Sequence, residues 1–305
     1  MSYEPSNLQK RIATGKPVIL AEISPPASSE AAEVKALAAL FAGKVHGLGV
    51  SDNRESVTMS ALAAASIIRS EGIEPVLHVT TRDRNRAALV SDFLGAQALG
   101  IRNILCTSGT HQTLGAFRTS KNVYDIDATI LLQTLSNLGK DASIVGTAHL
   151  DGSVPMCFGA VASPYADPME LQLPRLARKI FLGARFVITH PVFDLDRFGI
   201  WWKEVTARGL HKNAAIVAGV QVLTDSAAAA RLAAQRPLPM VPDAILKRLA
   251  SKTGSAKVRA EGIAIALETI DKLSSMDGIG GFEIRCDEDH GAAVEVLQTL
   301  KSKLW

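Results

Sequence analysis

The sequence predicts a single-domain (β/α)8 barrel of the TIM type over residues 1–305, with extra helices before the last strand. Short apolar or β-branched runs alternate with Ala- and Leu-rich helical stretches, and no long linker separates them. No G-x-G-x-x-G follows the first strand, although a dinucleotide-binding doubly wound sheet, the alternative fold, usually carries one. Polar residues also recur at the ends of the predicted strands, and a barrel brings those ends together on one face.

The order of elements follows from local patterns. The first strand ends before Pro25 and Pro26, because proline cannot donate to a sheet ladder. The run 143–148 is an alternative to 157–162 for the fifth strand. The predicted strands lie at 18–24, 47–51, 75–80, 103–108, 157–162, 186–189, 215–220 and 281–284. The predicted helices lie at 29–42, 56–70, 84–98, 125–138, 168–182, 224–235, 242–252, 255–275 and 288–302.

Composition narrows the class of protein. A hydrophobic share of 47%, a charged share of 21% and a net charge of +3 are ordinary for a globular protein, and no dense basic run indicates a nucleic-acid partner. The first five residues lack the basic start and apolar core of a signal peptide, and the apolar run 61–68 is too short to span a bilayer. Three well-separated cysteines argue against a disulfide framework or a cysteine zinc site. These features predict a cytoplasmic protein without a membrane partner.

Glu22, at the end of the first strand, is the best acid/base candidate. An unpaired charge in a sheet interior costs several kcal/mol, so the carboxylate needs either a structural partner or a site. Partial desolvation at a barrel mouth is expected to raise the pKa of Glu22 and let it deliver a proton near neutral pH. A salt bridge to a neighbouring Arg or Lys is the alternative role.

Other strand ends also carry polar side chains. His78 and Thr80 end the third strand, and Ser108-Gly109-Thr110 follows the fourth, where a glycine lets backbone N–H groups approach a ligand. His190 ends the sixth strand, but no second histidine lies four residues on and no carboxylate cluster is near it in sequence, so no metal site is predicted. The acidic run 287–290 is interpreted as the charged N-terminus of the closing helix.

Taken in order, these segments resemble the 5,10-methylenetetrahydrofolate reductase family. Glu22-Ile23-Ser24-Pro25-Pro26 is similar to the family's end of strand one, and His78-Val79-Thr80 to its His-Leu-Thr. The later matches are 100–105, 176–179, 183–184 and 188–194. The matching motifs run in order from about residue 18 to 220.

The resemblance implies a barrel that binds FAD at the carboxyl ends of its strands. It implies that hydride passes from NADH or NADPH to FAD and then to 5,10-methylenetetrahydrofolate, giving 5-methyltetrahydrofolate. The family's strand-one glutamate is the general acid, a role that carries over to Glu22. Protonation of N10 by this acid opens the imidazolidine ring to an iminium that accepts hydride.

The resemblance also implies site residues and partners. The cofactor-binding positions that it predicts are Ser51, His78, Thr80, Ser108, Gly109, Thr110, Ser163 and Lys179. The substrate-binding positions are Glu22, Thr110, His190 and Gln221. The expected partner is a tetrahydrofolate substrate, and assembly as a homo-oligomer is compatible with the sequence.

Two departures from the family pattern bear on this expectation. The family's Arg-Gly-Asp loop here reads Ser108-Gly109-Thr110, which removes a guanidinium and a carboxylate from the flavin side. The glutamine after the strand-six threonine is His190, whose charge is expected to vary with pH. A flavin-independent, folate-dependent one-carbon enzyme and a non-catalytic folate-binding protein on the same barrel therefore remain as alternatives.

Overall fold

Eight parallel strands close into one barrel in sequence order, which confirms the predicted (β/α)8 architecture. The structure is a computed structural model that describes residues 4–54, 56–115, 117–142, 150–234, 241–287 and 289–304. The first strand pairs with the last, which excludes the open doubly wound sheet. The strands are β1 Val18–Ile23, β2 Gly47–Val50, β3 Pro75–Thr80, β4 Asn103–Thr107, β5 Cys157–Ala162, β6 Phe186–Pro191, β7 Ala215–Gln221 and β8 Gly281–Arg285.

The helices surround this barrel, and three of them separate β7 from β8, as the sequence predicted. They are α1 Asn7–Ala13, α2 Ala31–Phe41, α3 Ala61–Ser70, α4 Arg86–Ala98, α5 Ala128–Asp141, α6 Met169–Phe181, α7 Leu195–Ala207, α8 Ser226–Ala234, α9 Asp243–Ala250, α10 Ser255–Ser274 and α11 His290–Leu304. Short 3₁₀ turns lie at Gln112–Leu114 and Leu210–Lys212.

The prediction for the fifth strand is confirmed at Cys157–Ala162, while the alternative run 143–148 lies outside the described residues. Sequence reasoning missed α1 and α7. Leu8 of α1 is fully buried and packs with Val18, Leu20 and other inward side chains at the amino end of the barrel. The short N-terminal helix therefore closes the bottom of the barrel.

The two-residue alternation of each strand decides which side chains enter the barrel. Outward residues of β1, such as Ile19 and Ile23, belong to the large cluster shared with the helices, while Val18 and Leu20 point inward. The next inward position of β1 is Glu22. On β8, which pairs Glu283 with Leu20, the inward positions include Glu283 and Arg285. The interior therefore changes from apolar to charged toward the carboxyl ends of the strands.

Within the part of the chain that the structure describes, no helix combines the length and the apolar character needed to cross a membrane. The three cysteines are buried and free of disulfides.

Candidate active site

Two buried carboxyl groups and an imidazole meet at the carboxyl end of the barrel. Glu22 of β1 is 7% exposed, His78 of β3 is 6% exposed and Glu283 of β8 is 3% exposed. Each offers an oxygen or nitrogen atom, and these atoms all lie within 4.8 Å of one another. We call Glu22, His78 and Glu283 the acid cluster.

Glu22 is held by two guanidinium groups. Arg54, in the loop after β2, donates from Nη1 to Oε1 of Glu22 at 2.9 Å, and Arg285 donates from Nη1 to Oε2 at 3.3 Å. Burial disfavours the charged form of Glu22, but the charges of Arg54 and Arg285 outweigh it and lower the pKa of Glu22 to about 2. The expectation that desolvation would raise this pKa was wrong, because the two arginines outweigh it. Glu22 thus has the predicted salt-bridge partners and also lines the cavity.

Glu283 behaves in the opposite way. Burial and the neighbouring charge of Glu22 raise the pKa of Glu283 to about 8, against the opposing charges of Arg285 and Arg54. Its Oε1 atom is buried and has no hydrogen-bond partner. Near neutral pH the site therefore contains one carboxylate, Glu22, and one protonated carboxyl group, Glu283.

His78 occupies space that a glycine leaves open. A Cβ atom at Gly49 of β2 would lie 2.8 Å from Nε2 of His78, so a larger residue there would displace the imidazole. This Nε2 atom is buried without a hydrogen-bond partner, and burial lowers the pKa of His78. The imidazole is consequently neutral at pH 7. The acid cluster is compact enough to reach a common cation, but the charges of Arg54 and Arg285 oppose one.

The Ser108–Thr110 loop after β4 packs against the end of β3. Gly109 has a φ of +79°, and a Cβ atom on it would collide with Oγ1 of Thr80. Arg82 donates to the carbonyl oxygen of Thr110 at 3.0 Å and to that of Asn53 at 2.9 Å. A guanidinium group therefore does reach this loop, although it comes from the end of β3 and not from the loop itself.

A second polar group lies at the ends of β5 and β6. Oγ of Ser163 and Nδ1 of His190 are 3.0 Å apart, and Lys179 donates to the carbonyl oxygen of Val161 at 2.7 Å. Burial, together with the charges of Arg285 and Lys179, lowers the pKa of His190 to about 4. The expectation that its charge would vary with pH was wrong for the physiological range, since the imidazole stays neutral there.

These groups line one cavity of about 1490 Å³ at the carboxyl ends of the strands. This is where a TIM-type barrel carries its active site. The cavity brings together all of the positions singled out from the sequence. They are Glu22, Ser51, His78, Thr80, Ser108, Gly109, Thr110, Ser163, Lys179, His190 and Gln221. Their individual roles stay predictions.

Sequence reasoning missed several charged residues of the site. Glu283 and Arg285 alternate with apolar Phe282 and Ile284 in β8, and this two-residue pattern could have identified them as inward-facing. The arginines Arg54 and Arg82 lie beyond strand ends, where the sequence gives no such pattern.

The acidic run before the closing helix has two roles. Asp289 fits the predicted role, since its Oδ1 accepts from the backbone N–H of Ala292 at the start of α11. Asp287 instead faces the site, where it accepts from Arg54 at 2.7 Å and from Gln221 at 3.3 Å. The interpretation of the whole run as a helix N-terminus was therefore wrong for Asp287.

Comparison with models of known protein families shows which family this chain belongs to. The model of the family described as methylenetetrahydrofolate reductase matches residues 7–301. The chain belongs to the methylenetetrahydrofolate reductase family. The match includes the last third of the chain, where the sequence offered few motifs, and so covers β8 and the acid cluster.

Solved structures share the barrel. An uncharacterized protein from Clostridium thermocellum, which binds two copies of 5-methyl-5,6,7,8-tetrahydrofolic acid, is 13% identical to this reductase-family chain. The match covers 98% of this chain and 100% of that one, with a TM-score of 0.69. The long-chain alkane monooxygenase LadA is 11% identical, with 94% and 92% of the two chains covered and a TM-score of 0.52. At these identities the likeness shows a common fold alone.

The cavity also fits the flavin expected in a methylenetetrahydrofolate reductase. Its volume exceeds the roughly 300–1,000 Å³ of an ordinary small-ligand pocket, which leaves room for a large cofactor beside a substrate. Arg175 and Lys179 line its wall, and their positive charges suit the diphosphate of a flavin dinucleotide. The hydroxyl groups of Ser51, Ser108 and Thr110 add neutral donors.

Proposed function

We propose that this protein reduces 5,10-methylenetetrahydrofolate to 5-methyltetrahydrofolate with hydride from NADH or NADPH, passed through FAD, and that Glu22 is the general acid. The observation that carries the proposal is the acid cluster on the cavity wall of a reductase-family barrel. A carboxyl group at the end of β1 can meet a folate that enters from the carboxyl ends of the strands. The clostridial neighbour's binding of a methylated folate supports this class of ligand.

The chemistry needs one proton and one hydride. Glu22, a carboxylate in the unliganded site, first takes up a proton and then gives it to N10. The electron pair of the bond between N10 and the methylene carbon moves to N10 as that bond breaks. The remaining iminium carbon then accepts a hydride, so it becomes a methyl group while NAD(P)H is oxidised to NAD(P)+. General acid catalysis of this kind contributes about 10²–10⁴-fold to a rate.

The flavin, when bound, supplies an acceptor for two electrons and a donor of hydride. In our proposal Lys179 and the hydroxyl and backbone groups of Ser51, Thr80 and the Ser108–Thr110 loop hold it. Gln221 and the neutral imidazole of His190 bind the pterin through the donor and acceptor positions that their contacts with Asp287, Arg285 and Ser163 leave open. Lowering of the His190 pKa to about 4 keeps this binding independent of pH near neutrality.

Spectroscopy of the two half-reactions tests the function. The protein reconstituted with FAD should show a flavin spectrum that bleaches on addition of NADH or NADPH and recovers on addition of 5,10-methylenetetrahydrofolate. Glu22→Gln should keep the bleaching and slow the recovery by at least about 100-fold. Glu30→Gln, an exposed change outside the cavity, is the matched control and should behave like the wild type.

The other outcomes separate the alternatives. Protein that binds no FAD yet converts the folate with a nicotinamide cofactor would be a flavin-independent enzyme. Protein that binds folate without turnover would support the non-catalytic alternative. Equal loss of both half-reactions in Glu22→Gln would assign Glu22 a structural role.

A further inference from the structure

We propose that Glu283 stores the proton that Glu22 passes to the folate, so that Glu283 acts as a positioning residue through Glu22. The inference rests on the proposed function, which places Glu22 at the folate. It assigns a task to a carboxyl group of β8 that is otherwise unexplained. Burial of a carboxyl group without a hydrogen-bond partner costs free energy, so the burial of Glu283 needs an explanation.

Glu283 lies one layer deeper in the barrel than Glu22, which suits a residue that supplies protons to Glu22. The register of β1 and β8 pairs Glu283 with Leu20, and Leu20 is the inward residue of β1 that comes before Glu22. The acid cluster keeps its oxygen and nitrogen atoms within 4.8 Å, and both carboxyl groups line the cavity. Oε1 of Glu283 and Nε2 of His78 are buried with no hydrogen-bond partner, so both are free to take part in a transfer.

The surrounding charges are distributed unequally between the two carboxyl groups. Arg54, from the loop after β2, and Arg285, from β8, donate to the two different oxygen atoms of Glu22. Glu283 faces the Glu22 carboxylate from β1 and the neutral His78 from β3, while β7 places the uncharged Gly219 opposite it. Two carboxyl groups this close do not ionise together easily, and the arginines determine which one does. Burial and the charge of Glu22 accordingly raise the pKa of Glu283 to about 8.

The transfer balances without a further reactant. The O–H bond of Glu283 breaks as a proton moves to the carboxylate of Glu22, and Glu22 then gives a proton to N10 of the folate. The N10–methylene bond breaks with its electron pair on N10, and a hydride that originates from NADH or NADPH and passes through FAD completes the methyl group. Glu283 is left as a carboxylate and regains its proton from water after the product leaves.

Infrared titration of the unliganded protein tests, without any turnover, whether Glu283 carries a proton. The wild type should show the C=O stretch of a buried protonated carboxyl group at pH 6, and the band should disappear with a midpoint near the Glu283 pKa of about 8. Glu283→Gln should remove the band. Glu22→Gln should keep it but move its midpoint to lower pH, because the neighbouring negative charge is gone. Glu30→Gln should leave band and midpoint unchanged.

A pH profile of the folate half-reaction gives the second readout. In the wild type the rate should fall as pH rises through the titration of Glu283. Glu283→Gln should lower the rate at pH 7 by roughly 10- to 100-fold, remove this dependence, and leave flavin reduction by NADH intact. A merely structural role would not remove the dependence on pH.

Clear outcomes would overturn the inference. A wild-type protein with no protonated carboxyl band at pH 6, or a Glu283→Gln variant with the full band or the wild-type pH profile, would do so. Should Glu283→Gln fail to fold, the wild-type titration and its shift in Glu22→Gln still decide the matter. Failure of the proposed function can be told apart from failure of this inference, because the infrared titration of Glu283 needs no folate reduction. A protein that never reduces the folate still shows whether Glu283 is protonated.

Discussion

Two glutamates of one site differ in charge because of their immediate partners. Glu22 and Glu283 are both buried, and burial alone would keep both protonated. Arg54 and Arg285 bind Glu22 and leave it charged, and that charge in turn keeps the proton on Glu283. The single-residue expectation for Glu22 failed because the partners come from distant parts of the chain.

His190 should titrate far below an ordinary histidine. Burial and the nearby cations Arg285 and Lys179 lower its pKa to about 4, so its ring should stay neutral from pH 5 to 8. NMR of the imidazole signals over pH 3 to 8 checks this. A midpoint for His190 near 6.5 would show that the cavity does not desolvate it as described.

The ends of the strands matter more to the site than the helices do. The Ser108–Thr110 loop depends on Gly109, because the backbone there is left-handed and packs against Thr80. The same arrangement allows Arg82 to reach the carbonyl of Thr110. The Ser108–Thr110 loop and the end of β3 therefore pack as one unit. We expect a single methyl group added at Gly109 to disturb this packing.

Gly109→Ala should destabilise the fold more than Gly72→Ala. Both glycines have a φ near +78°, so each change costs roughly 1 kcal/mol in backbone strain. Only Gly109 would also place its Cβ against Oγ1 of Thr80, since Gly72 has open space around it. Urea unfolding of the two variants measures the difference. Equal free energies of unfolding would show that the loop does not press on Thr80.

The elements that sequence reasoning found or missed differ in the strength of their local pattern. Seven of the eight strands are apolar or β-branched runs that stand out on their own, and the structure confirms them. The fifth had an alternative at 143–148, and the structure has this strand at Cys157–Ala162. Helix α7 buries Phe198, Trp201, Trp202 and Val205, and this spacing of three and four residues is typical of an amphipathic helix. Helix α1 buries only Leu8, so little in its sequence distinguishes it from a loop.

The candidate site was predictable where a strand supplies it. Glu22, His78 and Gln221 lie at strand ends, and the barrel brings such ends together. Arg54 and Asp287 lie in connections, and their contact at 2.7 Å joins residues more than two hundred positions apart. No local pattern encodes that distance, so only the folded chain reveals how the charges of the site are balanced.

At the scale of the whole molecule, the two glutamates should make stability depend on pH in opposite ways. Glu283 has a raised pKa, so its contribution is complete below about 4.5 and is lost as pH rises through about 8. Glu22 has a lowered pKa, so its contribution is present above about 4.5 and is lost as pH falls toward 2. The combined contribution of these two groups to the free energy of unfolding should therefore be largest in mildly acidic solution.

Glu283→Gln should flatten the alkaline side of this dependence. The neutral amide cannot ionise, so the free energy of unfolding should fall less between pH 5 and pH 9 than in the wild type, by an amount on the order of a few kcal/mol. Chemical denaturation at several pH values measures both proteins. Parallel curves for the wild type and the variant would mean that Glu283 is already ionised at neutral pH in the folded protein.

The most direct test of the proposed reductase is the detection of its product. The protein, supplied with FAD, NADH or NADPH and 5,10-methylenetetrahydrofolate, should form 5-methyltetrahydrofolate, measured by chromatography with mass detection. Glu22→Gln at the same protein concentration should form it at least about 100-fold more slowly. No 5-methyltetrahydrofolate from the folded, FAD-supplied wild type with either nicotinamide cofactor would contradict the proposed reduction.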